Sequence, residues 1–234
     1  MDKNFSNITE LNLLDVPIPL STDSYSPVSH GNIINAVQEQ LDRNNLTITN
    51  KEYRSNSKGT QVIGIFDIHS SHNELGFRLG FKNSYDKSMS LALVAGSQVW
   101  ICGNGMISGE IQFVRKHTGT VLTELRDKII YSINQLEESF NLHLIDKSNM
   151  EQIELSDNGR NALLGKLFFD TNLIKPHQTA IIKKELTDSE YPTFSNNNLW
   201  GVYNKVTHAF KQSHPSNYIE DHKKLHQIVM EEYS

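Results

Sequence analysis

The chain has 234 residues, a net charge of -5 and a single cysteine, Cys102. This length allows one large domain or two small ones, with a core that needs no cross-links. One cysteine excludes an internal disulfide framework and a zinc site of several cysteines, and it is typical of a reducing compartment. No apolar run approaches the roughly 20 residues that span a bilayer, and the first residues lack the basic start and apolar core of a signal peptide. We therefore expect a cytoplasmic protein without membrane contact.

Composition divides the chain into three parts. Residues 1–30 are rich in Asn, Ser, Asp and Pro, and each proline fixes φ and removes a backbone donor. We predict an extended N-terminal arm here, either packed on the core as a strap or used to bind a partner. Residues 31–145 are predicted to form an α+β core, and residues 146–234 a mainly helical part packed on it, so that all three make one domain.

The first predicted elements are a helix and a β-hairpin. Residues 31–45 carry apolar side chains at spacings of one, three and four, which is typical of an amphipathic helix. Residues 46–54 alternate loosely between apolar and polar side chains, and residues 60–69 form a second strand pattern with Val62, Gly64, Phe66 and Ile68 on one face. The stretch 55–59 between them ends in a glycine that favours a turn. The sequence therefore predicts one helix followed by two antiparallel strands.

Residues 75–81 show the clearest strand pattern in the chain. Their odd-numbered positions are all Leu or Phe, whereas the even-numbered positions from 76 to 82 hold Gly, Arg, Gly and Lys. Because successive side chains of a strand point to opposite faces, one face should be buried and the other should carry charge. We expect Arg78 and Lys82 to lie on the charged face, beside glycines that allow close approach of a polymer backbone.

Three shorter strands and one long helix complete the predicted core. We expect strands at residues 88–94 and 98–102 on either side of a turn at Gly96, and a last strand at residues 111–114. Residues 121–144 carry apolar side chains every three to four positions, which makes them the longest helix candidate.

These elements predict an α+β fold. A twisted antiparallel sheet over about residues 46–114 is backed by the helix at residues 121–144, and the C-terminal part is helical. We expect Pro215 to end a helix. His222 and His226 then share one face of the last helix, and we expect that face to lie on the surface.

The sign of the charge changes along the chain. Residues 75–118 contain five basic and two acidic residues, a net charge of +3, whereas residues 131–234 contain 10 basic and 14 acidic residues, a net charge of -4. A locally basic sheet on an acidic protein is typical of an anion site. An ordinary solvated face is the alternative, since exposed lysines and arginines need no partner.

Patterns that carry catalysis or bind metal are weak. The histidines form no HisGluXXHis motif, and the GlyXGly at residues 103–105 is not a dinucleotide-binding fingerprint. Cys102 with His117 lacks a nucleophile signature, and a buried small cysteine is the more common case. An enzyme built from Asp86, Lys87 and His117 is the least favoured interpretation. We predict no metal, no cofactor and no catalytic residue.

One set of positions in the core of the chain carries a likeness to a known family: Lys82, Asn83, Ser84, Asp86, Lys87, Ser88, Gly96, Val99, Cys102, Asn104, Arg115, Lys116, His117 and Thr118. At these positions the chain resembles a phage- and plasmid-encoded protein family classed only as a domain of unknown function. Residues 29–30 and 199–207 resemble its flanks, so that the resemblance covers about residues 28–210. Lys82 stands where the family has arginine, which loses bidentate geometry, and Gly103 is an insertion.

The resemblance implies a mobile-element origin and no particular activity. The order of helix, hairpin, strand and long helix is also similar to that of phage single-strand annealing proteins. Those proteins bind single-stranded DNA in a basic groove beside a twisted sheet and often form rings. This second likeness is one of element order alone, so what it implies about function is analogy.

We predict a phage-encoded protein that binds or anneals single-stranded nucleic acid, and that forms a homo-oligomer. Arg78, Lys82, Lys87, Arg115 and Lys116 would hold phosphates, and Tyr85, in a polar connection, would stack on a base. The predicted site residues are Arg78, Lys82, Asn83, Ser84, Tyr85, Asp86, Lys87, Arg115, Lys116 and His117.

The alternative is a non-enzymatic phage factor directed against host defence. Such a protein would bind a host protein or sequester a small nucleotide. The net acidity of the chain fits this alternative better than it fits nucleic-acid binding.

Overall fold

A computed structural model describes residues 5–72, 75–99, 104–107, 112–115, 121–191 and 196–233. Within these residues the fold is α+β, as predicted. Seven strands form one antiparallel sheet in which β1 to β6 follow one another in space as in sequence, while β7 also pairs with β5. The strands are β1 Ser6–Asn7, β2 Ile48–Ser55, β3 Gln61–Ile68, β4 Leu75–Ser84, β5 Leu91–Val99, β6 Asn104–Met106 and β7 Gln112–Arg115.

Eight α-helices accompany the sheet in the described part of the chain, and none of them is long and apolar enough to cross a membrane. One turn of π-helix, Lys166–Asp170, follows α5, and a 3₁₀ turn, Phe210–Gln212, follows α7. The α-helices are α1 Glu10–Leu14, α2 His30–Arg43, α3 Val121–Asn134, α4 Leu136–Gln152, α5 Asp157–Gly165, α6 Pro176–Thr187, α7 Leu199–Ala209 and α8 Pro215–Tyr233.

One face of the sheet packs against α2 and α3. Leu79 and Phe81 of β4 are fully buried there, as the strand alternation predicted, together with Ile33 of α2 and Ile129 of α3. Ser29 is the N-cap of α2, and its side chain accepts a hydrogen bond from the backbone amide of Asn32 at 2.9 Å. This core therefore joins the N-terminal half of the chain to α3, the first helix after β7.

A second core lies among the C-terminal helices. It contains buried residues from α4 to α8, such as Met150, Leu163 and Val206, and it also receives Leu75 and Met106 from the sheet. The helical part thus packs directly on the sheet.

The turn predicted at Gly96 is wrong. β5 runs without interruption from Leu91 to Val99, and Gly96 pairs with Arg78 in the middle of the ladder. A Cβ atom at position 96 would lie 2.5 Å from the carbonyl oxygen of Met106. The glycine is thus explained by the close approach of the last residue of β6 and not by a turn.

The long helix predicted over residues 121–144 is two helices. Gln135, with φ -97° and ψ -1°, separates α3 from α4, and α4 extends to Gln152. Leu125 and Ile129 of α3 pack in the first core, whereas Phe140 of α4 packs in the second. The interruption at Gln135 thus separates a helix that packs in the first core from one that packs in the second.

Two further predictions, one on Pro215 and one on the N-terminal arm, were wrong. Pro215 begins α8 instead of ending a helix. Proline fits the first turn of a helix because the backbone N–H that it lacks would have no intrahelical acceptor there. The N-terminal arm is not wholly extended: Thr9 caps the short helix α1, and Leu13 on that helix is buried against the first core.

Gly64 gives a direct test of packing in the first core. A Cβ atom at this position would lie 2.0 Å from the fully buried ring of Phe81. We expect Gly64→Ala to lower the free energy of unfolding by about 1–3 kcal/mol, because the ring must move in a close-packed core. Urea unfolding measures the change.

Gly165→Ala is the matched control, since a Cβ atom there meets no other atom within 4 Å and the position is helical. We expect it to be neutral or stabilising by up to about 1 kcal/mol. Equal effects of the two substitutions would contradict the packing described for Phe81.

Candidate functional site

Residues 83–88, AsnSerTyrAspLysSer, close the end of β4 and are called the 83–88 turn below. Its first three residues are buried, with Tyr85 only 7% exposed. Its last three residues, Asp86, Lys87 and Ser88, are exposed. The turn thus has a buried root and an exposed tip.

The root is fixed by His30, the first residue of α2. The backbone amide of His30 donates to the hydroxyl of Tyr85 at 2.8 Å, and the two rings stack with centroids 3.9 Å apart. Asn83 Nδ2 donates to the carbonyl of Val28 at 2.8 Å and lies 2.9 Å from His30 Nδ1. Helix α2 therefore begins directly against the end of β4.

These contacts set the tautomer of His30. An amide nitrogen only donates, so His30 Nδ1 must accept from Asn83. The proton of the neutral ring is then on Nε2, which lies 3.0 Å from the carbonyl of Gly59 and donates to it. One fully buried ring connects α2, β4 and the turn between β2 and β3.

Two more side chains close the turn. The hydroxyl of Tyr25 donates to the carbonyls of Ser84 and Tyr85, at 3.3 and 3.1 Å. Ser84 Oγ donates to the carbonyl of Met89 and accepts from its amide, at 2.9 and 3.0 Å. Burial raises the pKa of both Tyr25 and Tyr85, so both phenols keep their protons at neutral pH.

Lys87 is held at the tip. Its φ of 63° lies in the left-handed region, which is uncommon for a residue with a side chain. Its ammonium lies 4.6 Å from the centroid of the Tyr25 ring, a cation–π distance. Backbone and side chain are thus both restrained at an exposed lysine. Such strained backbone is typical of functional positions.

Asp86 faces the other side of the tip. Its carboxylate accepts from Gln61 Nε2 at 2.7 Å and from the amide of Ser88 at 3.0 Å. Burial raises the pKa of Asp86, but hydrogen bonds from Ser88 and Gln61 outweigh it and lower the pKa below its ordinary value. Asp86 is therefore ionised and orients the tip through its partners.

Further cations lie at the same end of the sheet. Lys58 is exposed on the turn between β2 and β3, next to Gly59. Lys82 is partly exposed on β4, where it pairs with Ile63 and Ala92. We call Lys58, Lys82 and Lys87 the lysine rim.

Of the predicted site residues at positions 115–117, the structure describes Arg115. The backbone of Arg115 pairs with Leu91 at the start of β5, next to the residue that pairs with Lys82. Lys116 and His117 lie outside the described residues, so the proposed convergence of Asp86, Lys87 and His117 stays a prediction.

The prediction that Arg78 lies on an open charged face is wrong. Arg78 is 7% exposed, and its Nε donates to Asp67 Oδ1 at 2.7 Å. The residues that cover this face, Tyr218 and Ile219, come from α8. Arg78 is thus a buried partner of Asp67, its neighbour on β3, towards the end of the ladder opposite the 83–88 turn.

The prediction that Tyr85 is an exposed stacking aromatic is also wrong, because its ring packs on His30. The position of Tyr85 next to lysines in the sequence does not show this burial, because His30, which covers its ring, lies 55 positions away. Tyr131 and Phe169, which the sequence did not single out, are 52% and 78% exposed.

The two histidines of α8 are buried instead of lying on the surface. His222 packs between Phe210 and Tyr218, and burial lowers its pKa to about 4. His226 Nε2 lies 3.2 Å from Asp146 Oδ2. The pair therefore faces the second core, where His222 is a neutral packing group and His226 lies beside the carboxylate of Asp146.

Comparisons of the chain with protein-family models, curated proteins and solved structures gave no match. The resemblance to phage-encoded proteins therefore stays a prediction that rests on the residues quoted for it. The functional argument below depends on the geometry of the 83–88 turn and the lysine rim.

Removing one hydroxyl tests the buried root. Tyr85→Phe keeps the ring on His30 but leaves the His30 amide without its acceptor. We expect the free energy of unfolding to fall by about 1–3 kcal/mol, the cost of a buried donor left unpaired. Tyr131→Phe, at a half-exposed position, is the control and should change it by less than about 0.5 kcal/mol. Equal changes in urea unfolding would contradict the network.

Proposed function

We propose that the protein binds single-stranded nucleic acid through the lysine rim. The observation that supports this most strongly is Lys87, an exposed cation with left-handed backbone and with its ammonium on the Tyr25 ring. A cation that is already ordered loses less conformational entropy when it meets a phosphate. The buried root of the 83–88 turn thus supplies preorganisation for a surface contact.

The local charge favours an anionic ligand. The rim contributes three lysines, and the nearby Asp86 contributes one carboxylate whose oxygens face Gln61 and Ser88. Among these four described side chains the excess is two positive charges, on a chain whose net charge is -5. Because the rest of the molecule repels a polyanion, we expect binding to be confined to this rim and to weaken steeply with salt.

The same geometry suits annealing. Tyr85, the predicted stacking residue, is buried against His30 and has no face for a base. Contacts from lysines to phosphates fix the backbone and carry no sequence information. A strand held by its backbone keeps its bases available for a complementary strand, which annealing requires. We include a phage origin in this proposal, as the resemblance implies.

The N-terminal arm favours a second role, a contact with another protein. Leu11, Leu14, Ile18 and Leu20 are between 47% and 90% exposed within one short stretch. A run of exposed large apolar residues marks an interaction surface. A second copy of the chain is the partner that the annealing proposal needs, since one rim spans only a few phosphates. A host protein is the partner under the anti-defence alternative.

Lys87→Ala tests the nucleic-acid proposal. We expect the affinity for an oligo-dT strand to fall by about three- to tenfold at low salt, since one phosphate contact is lost. The slope of log affinity against log salt should become shallower by about 0.7, the value for one phosphate of a single strand. Fluorescence anisotropy across a salt series measures both quantities.

Lys183→Ala is the matched control, because Lys183 is an exposed lysine on α6, among the C-terminal helices. Its affinity and slope should equal those of the unmodified protein. The proposal is wrong if the unmodified protein does not bind the strand, if binding is independent of salt, or if the two variants weaken it equally.

Leu11→Asp with Leu20→Asp tests the arm. Both side chains are exposed, so the double variant should keep its stability within about 0.5 kcal/mol. We expect light scattering to give a multiple of the chain mass for the unmodified protein and a smaller assembly for the variant. A monomer in both cases would contradict self-association.

A further inference from the structure

Three buried histidines lie where α8 packs on the rest of the protein. His222 and His226 are one turn apart on α8, and His143 of α4 packs against His226 with ring centroids 5.8 Å apart. All three side chains are buried, and His222 is fully so. Histidine is the side chain whose ordinary charge change falls between pH 5 and 8. The docking of α8 therefore depends on groups that titrate near neutral pH.

His222 has no place for a second proton. Its Nδ1 lies 2.9 Å from the carbonyl of Tyr218, and because a carbonyl oxygen only accepts, Nδ1 carries the proton of the neutral ring. Its Nε2 faces β6, where a Cβ atom added at Gly105 would lie 3.5 Å from it. This Nε2 is buried and has no hydrogen-bond partner among the described residues. A proton added there would gain no acceptor from the described part of the protein.

The charges around His222 also disfavour its protonation. Burial lowers the pKa of His222 to about 4, the hydrogen bond to Tyr218 acts in the opposite direction, and the positive charge of Arg78 on β4 lowers the pKa further. Burial raises the pKa of the Tyr218 phenol, so that group supplies no negative charge. The carboxylate of Asp67 is already paired with Arg78 at 2.7 Å. A charged His222 would thus be a second cation beside Arg78.

His143 is in a similar position on the other side of α8. Its Nδ1 lies 2.7 Å from Ser97 Oγ of β5, and its buried Nε2 has no hydrogen-bond partner among the described residues. Burial lowers the pKa of His143 to about 4, the charge of His226 lowers it further, and Asp146 raises it. Asp146 Oδ2 lies 3.2 Å from His226 Nε2. One carboxylate therefore serves both imidazoles, since burial keeps the nearby Tyr203 phenol neutral by raising its pKa.

The direction of the pH effect follows from these shifts. The pKa of His143 and that of His222 are about 4 in the docked structure, against an ordinary value of 6.5. Between these two values a released α8 leaves the histidines with more bound protons than a docked one does. Docking is therefore fully stable above about pH 6.5 and weakens as the pH falls through this window. Exposed carboxylates, with ordinary pKa values near 4, stay ionised through its upper part.

We propose that α8 is a pH-sensitive cover of the sheet, docked while His143 and His222 are neutral and released when they are protonated in mildly acidic solution. Tyr218 and Ile219 of α8 lie over Arg78, so release uncovers the sheet face that carries this arginine. The opposite face stays packed on α2 and α3. This device is independent of nucleic-acid binding by the lysine rim.

Hydrogen exchange of the full chain at pH 7.5 and pH 5.5, followed by mass spectrometry, tests the proposal. Rates are corrected for the intrinsic chemical exchange at each pH, so that the protection of each segment reports its opening equilibrium. Each histidine contributes up to about tenfold over this interval. We therefore expect the protection of α8 to fall about ten- to a hundredfold, while that of β3 and α3 changes by less than about threefold.

Two substitutions assign the effect to the histidines. His222→Phe places an apolar ring between Phe210 and Tyr218, where it should pack well. His143→Gln offers Ser97 an amide that takes no proton. The double variant should keep the protection of α8 within about threefold between the two pH values, because neither site can titrate. His69→Gln, at an exposed histidine after β3, is the matched control and should behave as the unmodified protein does.

The unmodified protein tests the proposal even if a variant does not fold, and circular dichroism checks the folding of each variant. Three results would overturn it. The first is protection of α8 that does not change between pH 7.5 and pH 5.5. The second is an equal loss of protection in α8, β3 and α3, which indicates unfolding of the whole chain. The third is a pH effect that persists undiminished in a folded double variant.

Discussion

The hydrogen bonds of His30 are the constraint on which the rest of the structure depends. One neutral ring donates to Gly59, accepts from Asn83 and stacks on Tyr85, while its backbone amide donates to the same tyrosine. Every one of these groups is buried, so each bond also avoids the cost of an unpaired polar group. The network fixes where α2 begins relative to the end of β4. The exposed tip with Lys87 is a direct consequence of that arrangement.

The network also explains why the function is proposed at the end of the sheet and not on its face. One face packs on α2 and α3, and on the other Tyr218 and Ile219 of α8 lie over Arg78. Among the described residues, the end of the sheet with the 83–88 turn is accessible, and its turns carry exposed cations above a rigid scaffold. Binding residues are often arranged in this way.

Periodicity in the sequence predicted the parts of the fold that depend on one segment at a time. The Leu and Phe alternation of β4 gave the buried face, and the apolar stripe of α2 gave a helix within two residues of its observed bounds. Periodicity did not reveal which distant segment covers a polar face. Arg78 and Tyr85 were therefore predicted as exposed, although α8 and α2 cover them. A turn was predicted at Gly96 because the sequence alone does not show that this glycine lies against Met106 of another strand.

The candidate site was predictable to a similar extent. The sequence identified residues 83–87 as a polar cluster, and the structure separates them into buried residues that shape the turn and an exposed lysine.

The most direct test of the central claim is lysine footprinting with and without an oligo-dT strand. Acetylation of exposed lysines is read by mass spectrometry under conditions where the complex forms. The account predicts that the strand protects Lys58, Lys82 and Lys87 and leaves Lys183 and Lys184 of α6 as reactive as before. Equal protection everywhere, or protection confined to the C-terminal helices, would contradict it.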